Sequence, residues 1–169
     1  MSRTFAVVLT SAGLLWAVLI LATPRWSSLP GPPSIAAATV YASASRICHQ
    51  RPERSFHAGG VPLPVCGRCA GLYLSGALGA LLAWAPLRRR RLSGADRLLL
   101  AAAALPTAVT WTLEVVFGLA VFANETRAAA ALPLGLAAGW VFVRGLRRDA
   151  ADRSDASRVA RPGAISWRN

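Results

Sequence analysis

The chain has 169 residues, more than half of them hydrophobic and 15% charged, against about 25% charged in a soluble globular domain. Its formal net charge of +12 is carried by nineteen arginines and no lysine, which excludes Schiff-base chemistry and a phosphate-loop lysine. The arginines punctuate long apolar runs and form no basic face interleaved with aromatics, so a membrane protein is indicated and no nucleic-acid partner is expected.

Residues 5–23 are free of charge, close to the roughly 20 residues a transmembrane helix needs. They are longer than the h-region of a secretory signal, so an uncleaved anchor is favoured over cleavage near Ala22. The proline-rich stretch 24–33 predicts an extended connector carrying Trp26 at interfacial depth. Ser34 then caps a short helix through Ile47, whose Ala36, Val40, Ala44 and Ile47 share a face. An irregular loop with Gly59-Gly60 and two prolines follows.

A second span is predicted over residues 65–87, ending at Arg88 to Arg91. Along it Gly67, Gly71, Ser75, Gly79 and Ala83 recur every fourth position, a face that lets another helix approach closely, within the chain or in a second copy. The third span covers 98–123, with Pro106 as a kink and Glu114 as the one carboxylate inside an apolar run. An acid at such depth faces the bundle interior and is functional by default. Asn124 to Arg127 forms a polar turn, and the fourth span, 128–146, carries Gly135 and Gly139. Residues 147–169 read as a disordered tail.

The fold expected is therefore all-α: a four-helix transmembrane bundle over residues 1–146, with an outer cap of loop and short helix. Arginine counting sets its orientation. With both termini cytoplasmic, 13 of the 19 arginines lie inside. The segment 46–71 then faces outward from the cell membrane, with Asn124, Arg127 and Glu114 on the same side.

That outward segment holds every cysteine of the chain, Cys48, Cys66 and Cys69, and both histidines, His49 and His57. Cys48, His49, Cys66 and Cys69 form a Cys3His set, and C-x2-C is a zinc half-site spacing. Soft thiolates suit zinc first, then copper(I) or an iron–sulfur group. His57 is the substitute for His49. Arg46, Arg51, Arg54 and Arg68 offset thiolate charge, Arg68 and Arg127 tune it, and Asn124 supports the site from the same side. Glu114 is either a proton or cation partner below or paired with an arginine from a neighbour. Alternatively Cys66-Gly67-Arg68-Cys69 opens a helix, where the dipole and Arg68 favour thiolates and hence thiol–disulfide exchange. In that reading Cys66 is the nucleophile, and Cys69 or Cys48 resolves. This outline resembles the quinone-linked disulfide-forming enzymes and the vitamin K epoxide reductase group, which use two cysteine pairs where this chain has three cysteines. A structural or assembly subunit is the third possibility. No serine–histidine–acid order, carboxylate pair or glycine-rich phosphate loop is present, so no hydrolytic or phosphate-transfer enzyme is indicated.

The runs Cys48-His49-Gln50-Arg51-Pro52-Glu53-Arg54-Ser55-Phe56 and Cys66-Gly67-Arg68-Cys69-Ala70-Gly71-Leu72-Tyr73 resemble an uncharacterised family of small prokaryotic multi-pass membrane proteins. The resemblance covers roughly residues 40 to 140 and implies an integral membrane location. Pro106, Asn124, Arg127, Gly135 and Gly139 fit the family's second half. Thr110 stands where its pattern has an aspartate, which leaves Glu114 as the acid in this region.

Overall fold

A computed structural model describes residues 2–27, 34–85 and 94–159. The described chain is all-α apart from one small hairpin. Its helices are α1 (Ser2–Ser27), α2 (Ile35–Ala44), α3 (Gly67–Leu82), α4 (Gly94–Trp111) and α5 (Asn124–Val159). Three stretches are long and apolar enough to cross a membrane: Arg3–Ser27, Asp96–Val116 and Asn124–Ala151. α3, predicted as a fourth span over 65–87, is a helix of 16 residues, about 24 Å long, short of the roughly 30 Å hydrocarbon core.

The prediction and the structure part at several helix ends, each for a local reason. α1 continues past residue 23 through Pro24 to Ser27. Proline removes one donor from the helix ladder, the bond to Ile20 O, and close to the helix end that single loss does not stop the helix. Beside it Thr23 Oγ1 bonds Leu19 O at 2.6 Å and Ser27 Oγ bonds Thr23 O at 3.1 Å. Trp26 consequently lies in this helix, and residues 28–33 are outside the described part. Ser34 does cap α2, accepting from the Ala37 amide at 3.1 Å. The buried face of α2 is Ala37, Val40 and Ala44, however, with Ala36 and Ile47 exposed. The helix closes at Ala44 and gives way to a turn.

The loop is also more regular than its glycines and prolines suggest. His57–Ala58 (β1) pairs antiparallel with Val61–Pro62 (β2) across Gly59 and Gly60. Both glycines have positive φ, +60° and +80°, the backbone that a two-residue hairpin turn of the tightest type requires.

α4 ends well before residue 123. A wide π-turn spans Thr112–Val116, the Phe117 amide reaches back to Thr112 O at 3.0 Å, and Gly118 turns the chain with φ +61°. The predicted polar turn Asn124–Arg127 is instead the first turn of α5. At its far end α5 stays helical to Val159, so residues 147–159 are not the disordered segment expected. Alanine and arginine there are strong helix formers extending a helix already nucleated in the bundle. Residues 160–169 lie outside the described part.

The framework is the α3–α5 pair. A side-chain carbon on Gly71 would collide with the Ala128 carbonyl, one on Gly79 with that of Leu136, and one on Gly139 with that of Gly76. The small-residue seam seen in the sequence is thus filled within the chain, helix against helix. At one end Ala6, Ala80, Ala83 and Val143 pack with Trp84, Trp140 and Leu146. There Trp84 donates to Thr10 Oγ1 at 3.0 Å, and the guanidinium groups of Arg144 and Arg147 stack on Trp140 and Trp84, each at 4.6 Å. The opposite end carries the candidate site.

Candidate metal centre

The three cysteines meet where the turn after α2 crosses the start of α3. Backbone bonds from the Ile47 and Cys48 amides to Ala44 O, at 3.1 and 2.9 Å, wind the chain off α2 and turn Cys48 inward. Gln50 then adopts a left-handed backbone, φ +50°, which is uncommon and strained for a residue with a side chain. Its amide explains why the conformation holds. Gln50 Nε2 donates to Tyr41 O and to Pro64 O, each at 2.8 Å, clamping the end of α2 to the strand that leads into α3. The Tyr41 hydroxyl donates to Pro62 O across the same junction. Below it, Leu63 N donates to Phe56 O at 2.7 Å and closes the hairpin.

This clamp brings Cys66, the residue capping α3, against Cys48, so that the Cys66 amide donates to Cys48 Sγ at 3.1 Å. Cys69 follows in the first helical turn. All three sulfurs lie within 4.8 Å of one another, and none is in a disulfide. Around them pack Ile20 and Trp16 of α1, Ala44 of α2, and Phe56, Leu63, Val65, Ala70 and Tyr73. Cys48 is buried and the other two are partly buried. Hydrogen bonding from the Cys66 thiol, then the Cys69 thiol, pulls the Cys48 thiol well below its ordinary range, helped by the Cys66 and Gln50 amides and opposed by burial. A thiolate within this group is what metal ligation or nucleophilic attack requires.

His49 stands apart. Its side chain is exposed, as is that of His57, and neither belongs to the sulfur group. Adjacent residues in an extended segment point to opposite sides, so turning Cys48 inward sends His49 outward. The structure gathers three of the four predicted ligands.

A second constellation adjoins the first through Arg68. Glu114, buried in the π-turn, receives two bonds from Arg127, Nε to Oε2 at 3.2 Å and Nη2 to Oε1. Arg68 Nη2 reaches Oε2 at 3.3 Å, and Arg54 Nη2 lies 3.8 Å from Oε1. Asn124 Oδ1 accepts from Arg127 Nη1 at 2.9 Å, while its Nδ2 donates to Ser55 O at 3.1 Å and ties α5 to the cysteine loop. Gly67 allows this approach, because a side-chain carbon there would lie 2.8 Å from Asn124 O. Sequence reasoning pointed to Glu114, Arg68, Asn124 and Arg127, and the structure puts them in one network. It missed Gln50, Ser55 and the aim of Arg54. All three lie in the Cys48–Phe56 run, but a glutamine bonded to distant carbonyls leaves no periodic signal.

The model of the family described as "Predicted membrane protein (DUF2085)" matches residues 48–141, from the first cysteine of the triad into α5, more than half of the chain. The chain belongs to this family. Among curated proteins, the DUF2085 chain is 44% identical over 43 residues to an uncharacterized protein of Methanocaldococcus jannaschii, covering 25% of this chain and 28% of the relative. It is 57% identical over 28 residues to an uncharacterized protein of Methanothermobacter thermautotrophicus, covering 17% and 25% respectively. The matches thus span about a quarter of each relative's length. No solved structure matches the chain.

The clamp makes a direct prediction. Gln50→Ala should lose both carbonyl bonds and keep the strained backbone, while Gln50→Gly loses the bonds but relieves the strain. Alanine is expected to destabilise by about 2–3 kcal/mol and glycine by roughly 1 kcal/mol less, measured by unfolding in detergent. Equal losses would show that the backbone there carries no strain.

Proposed function

We propose that this family member is a multi-pass membrane protein binding one soft metal ion, zinc in the first instance, through Cys48, Cys66 and Cys69. The proximity of three sulfurs carries the reading. In a tetrahedral zinc site with Zn–S bonds of about 2.3 Å, sulfurs sit about 3.8 Å apart. A spread of at most 4.8 Å closes to that with small side-chain rotations. A disulfide would bring two of them to about 2.05 Å and leave the third over. The residues fit the ion chemically: three soft sulfur donors converge, and the start of α3 and Arg68 oppose the build-up of negative charge. Three protein ligands leave one position for water or another ligand, the arrangement of a reactive rather than a closed site. With α3 crossing alongside α5, against which it packs from Gly67–Asn124 to Gly79–Leu136, the arginine distribution supports both termini in the cytoplasm and the centre outward.

Protein purified without chelators is expected to carry about one zinc per chain by elemental analysis. Cys66→Ser should abolish it, and His49→Ala should leave it unchanged. The thiol–disulfide alternative draws on the same three cysteines. It predicts no bound metal and a mass shift on alkylation after reduction, revealing a disulfide among the three cysteines. Protein with neither metal nor disulfide, and triple-serine protein that behaves normally, would leave the structural-subunit reading.

A further inference from the structure

Beside the cysteine centre, Arg54, Arg68 and Arg127 converge on the buried carboxylate of Glu114, while Glu53 and Glu125, the other acids nearby, are exposed. Arg127 has five N–H groups and donates three of them to Glu114 and Asn124. At 3.8 Å, Arg54 pairs electrostatically with Glu114 but is too far to hydrogen-bond it.

Arg54 and Arg127 line a cleft of about 360 Å³, together with Glu53, Asn124 and residues 121–123. The cleft lies at the start of α5, where first-turn amides have no intrahelical partner and the helix dipole favours an anion. We propose that this cleft binds a phosphate group, with Arg54 and Arg127 as its charged donors and the opening of α5 as its floor. Donors arriving from the loop, from a buried side chain and from a helix end suit a tetrahedral oxyanion better than a planar one. Glu53 on the rim and Glu125 in the first turn of α5 oppose the anion, but both are exposed, where water screens them. The neighbouring surface is apolar, with Phe117, Leu119 and Val121 well exposed, so the phosphate has two sources: a free anion, or a lipid headgroup whose chains lie along these residues.

The test uses the full chain in nanodiscs, with binding followed by calorimetry and thermal shift. Inorganic phosphate is titrated in phosphatidylcholine discs, and phosphatidylglycerol is compared with phosphatidylcholine without added phosphate. Stabilisation by inorganic phosphate beyond that given by chloride at equal ionic strength assigns a free anion; stabilisation by phosphatidylglycerol alone assigns a headgroup. In either case Arg54→Ala should weaken binding by about tenfold or more, and Glu53→Gln should strengthen it. Arg54 is half exposed, so its loss should leave the fold intact; if it does not, the Glu53→Gln result decides. The proposal is overturned by no response to either source, by a response that chloride reproduces, or by affinity that neither substitution changes. Neither cysteine nor metal enters the argument, so triple-serine protein without metal should bind phosphate as the native chain does.

Discussion

Glu114→Ala is expected to destabilise the protein by about 3–5 kcal/mol, the cost of leaving a buried ion pair half made. Its side chain is 2% exposed and that of Arg127 6% exposed, so water cannot replace the missing partner. Arg68 would lose its acceptor too, and its Nε is already buried without one. Glu114→Gln keeps an acceptor for Arg127 but not the charge, so its cost should fall between alanine and the native chain. Combining Glu114→Gln with Arg127→Met removes both buried charges and should recover part of the loss, giving a non-additive cycle. The measurement is unfolding of the native protein, Glu114→Ala, Glu114→Gln, Arg127→Met and the double variant in one detergent. An alanine variant within about 1 kcal/mol of native would mean that the network is solvated and does not fix the bundle.

The same network shows what the amino-acid pattern could and could not reveal. Long apolar runs and the glycine-alanine face of α3 were legible because membrane spans and close helix packing are periodic, and the α3–α5 seam follows that pattern. Membership of an uncharacterised membrane family was legible in the cysteine runs. Helix ends were less so. Pro24 looks like a breaker, but it costs α1 one backbone bond near its end and the helix runs on to Ser27. The run of apolar residues through Ala123 looks continuous, but the chain leaves the helix at Gly118. That departure matters, because it lets Arg127, in the first turn of α5, reach Glu114 directly. Spacing can bring Cys66 and Cys69 to one end of a helix. Choosing Cys48 over His49 as their companion depends on the Gln50 clamp, a contact between segments that no local pattern encodes.

Stripping the metal should produce the other large effect. The three sulfurs join the turn after α2 to the first turn of α3, a junction that the Gln50 and Tyr41 bonds also hold. They also sit inside the cluster that anchors Ile20 of α1 to Val65 and Ala70. An ion held there binds the folded chain far better than the unfolded one, so its binding energy adds to stability. At free metal a thousandfold above its dissociation constant, that contribution is about 4 kcal/mol, and a chain of this length shifts its melting temperature by about 2–4 °C per kcal/mol. A membrane-compatible chelator is thus expected to lower the melting temperature by roughly 8–16 °C, with full recovery on adding zinc back. Cys66→Ser should melt near the chelated native protein and be insensitive to chelator, because both lack the same ion. His49→Ala should keep the native response. If chelation leaves the native melt unchanged while the cysteine variant melts lower, the sulfurs stabilise the fold by packing alone, and metal is not what holds α2 to α3.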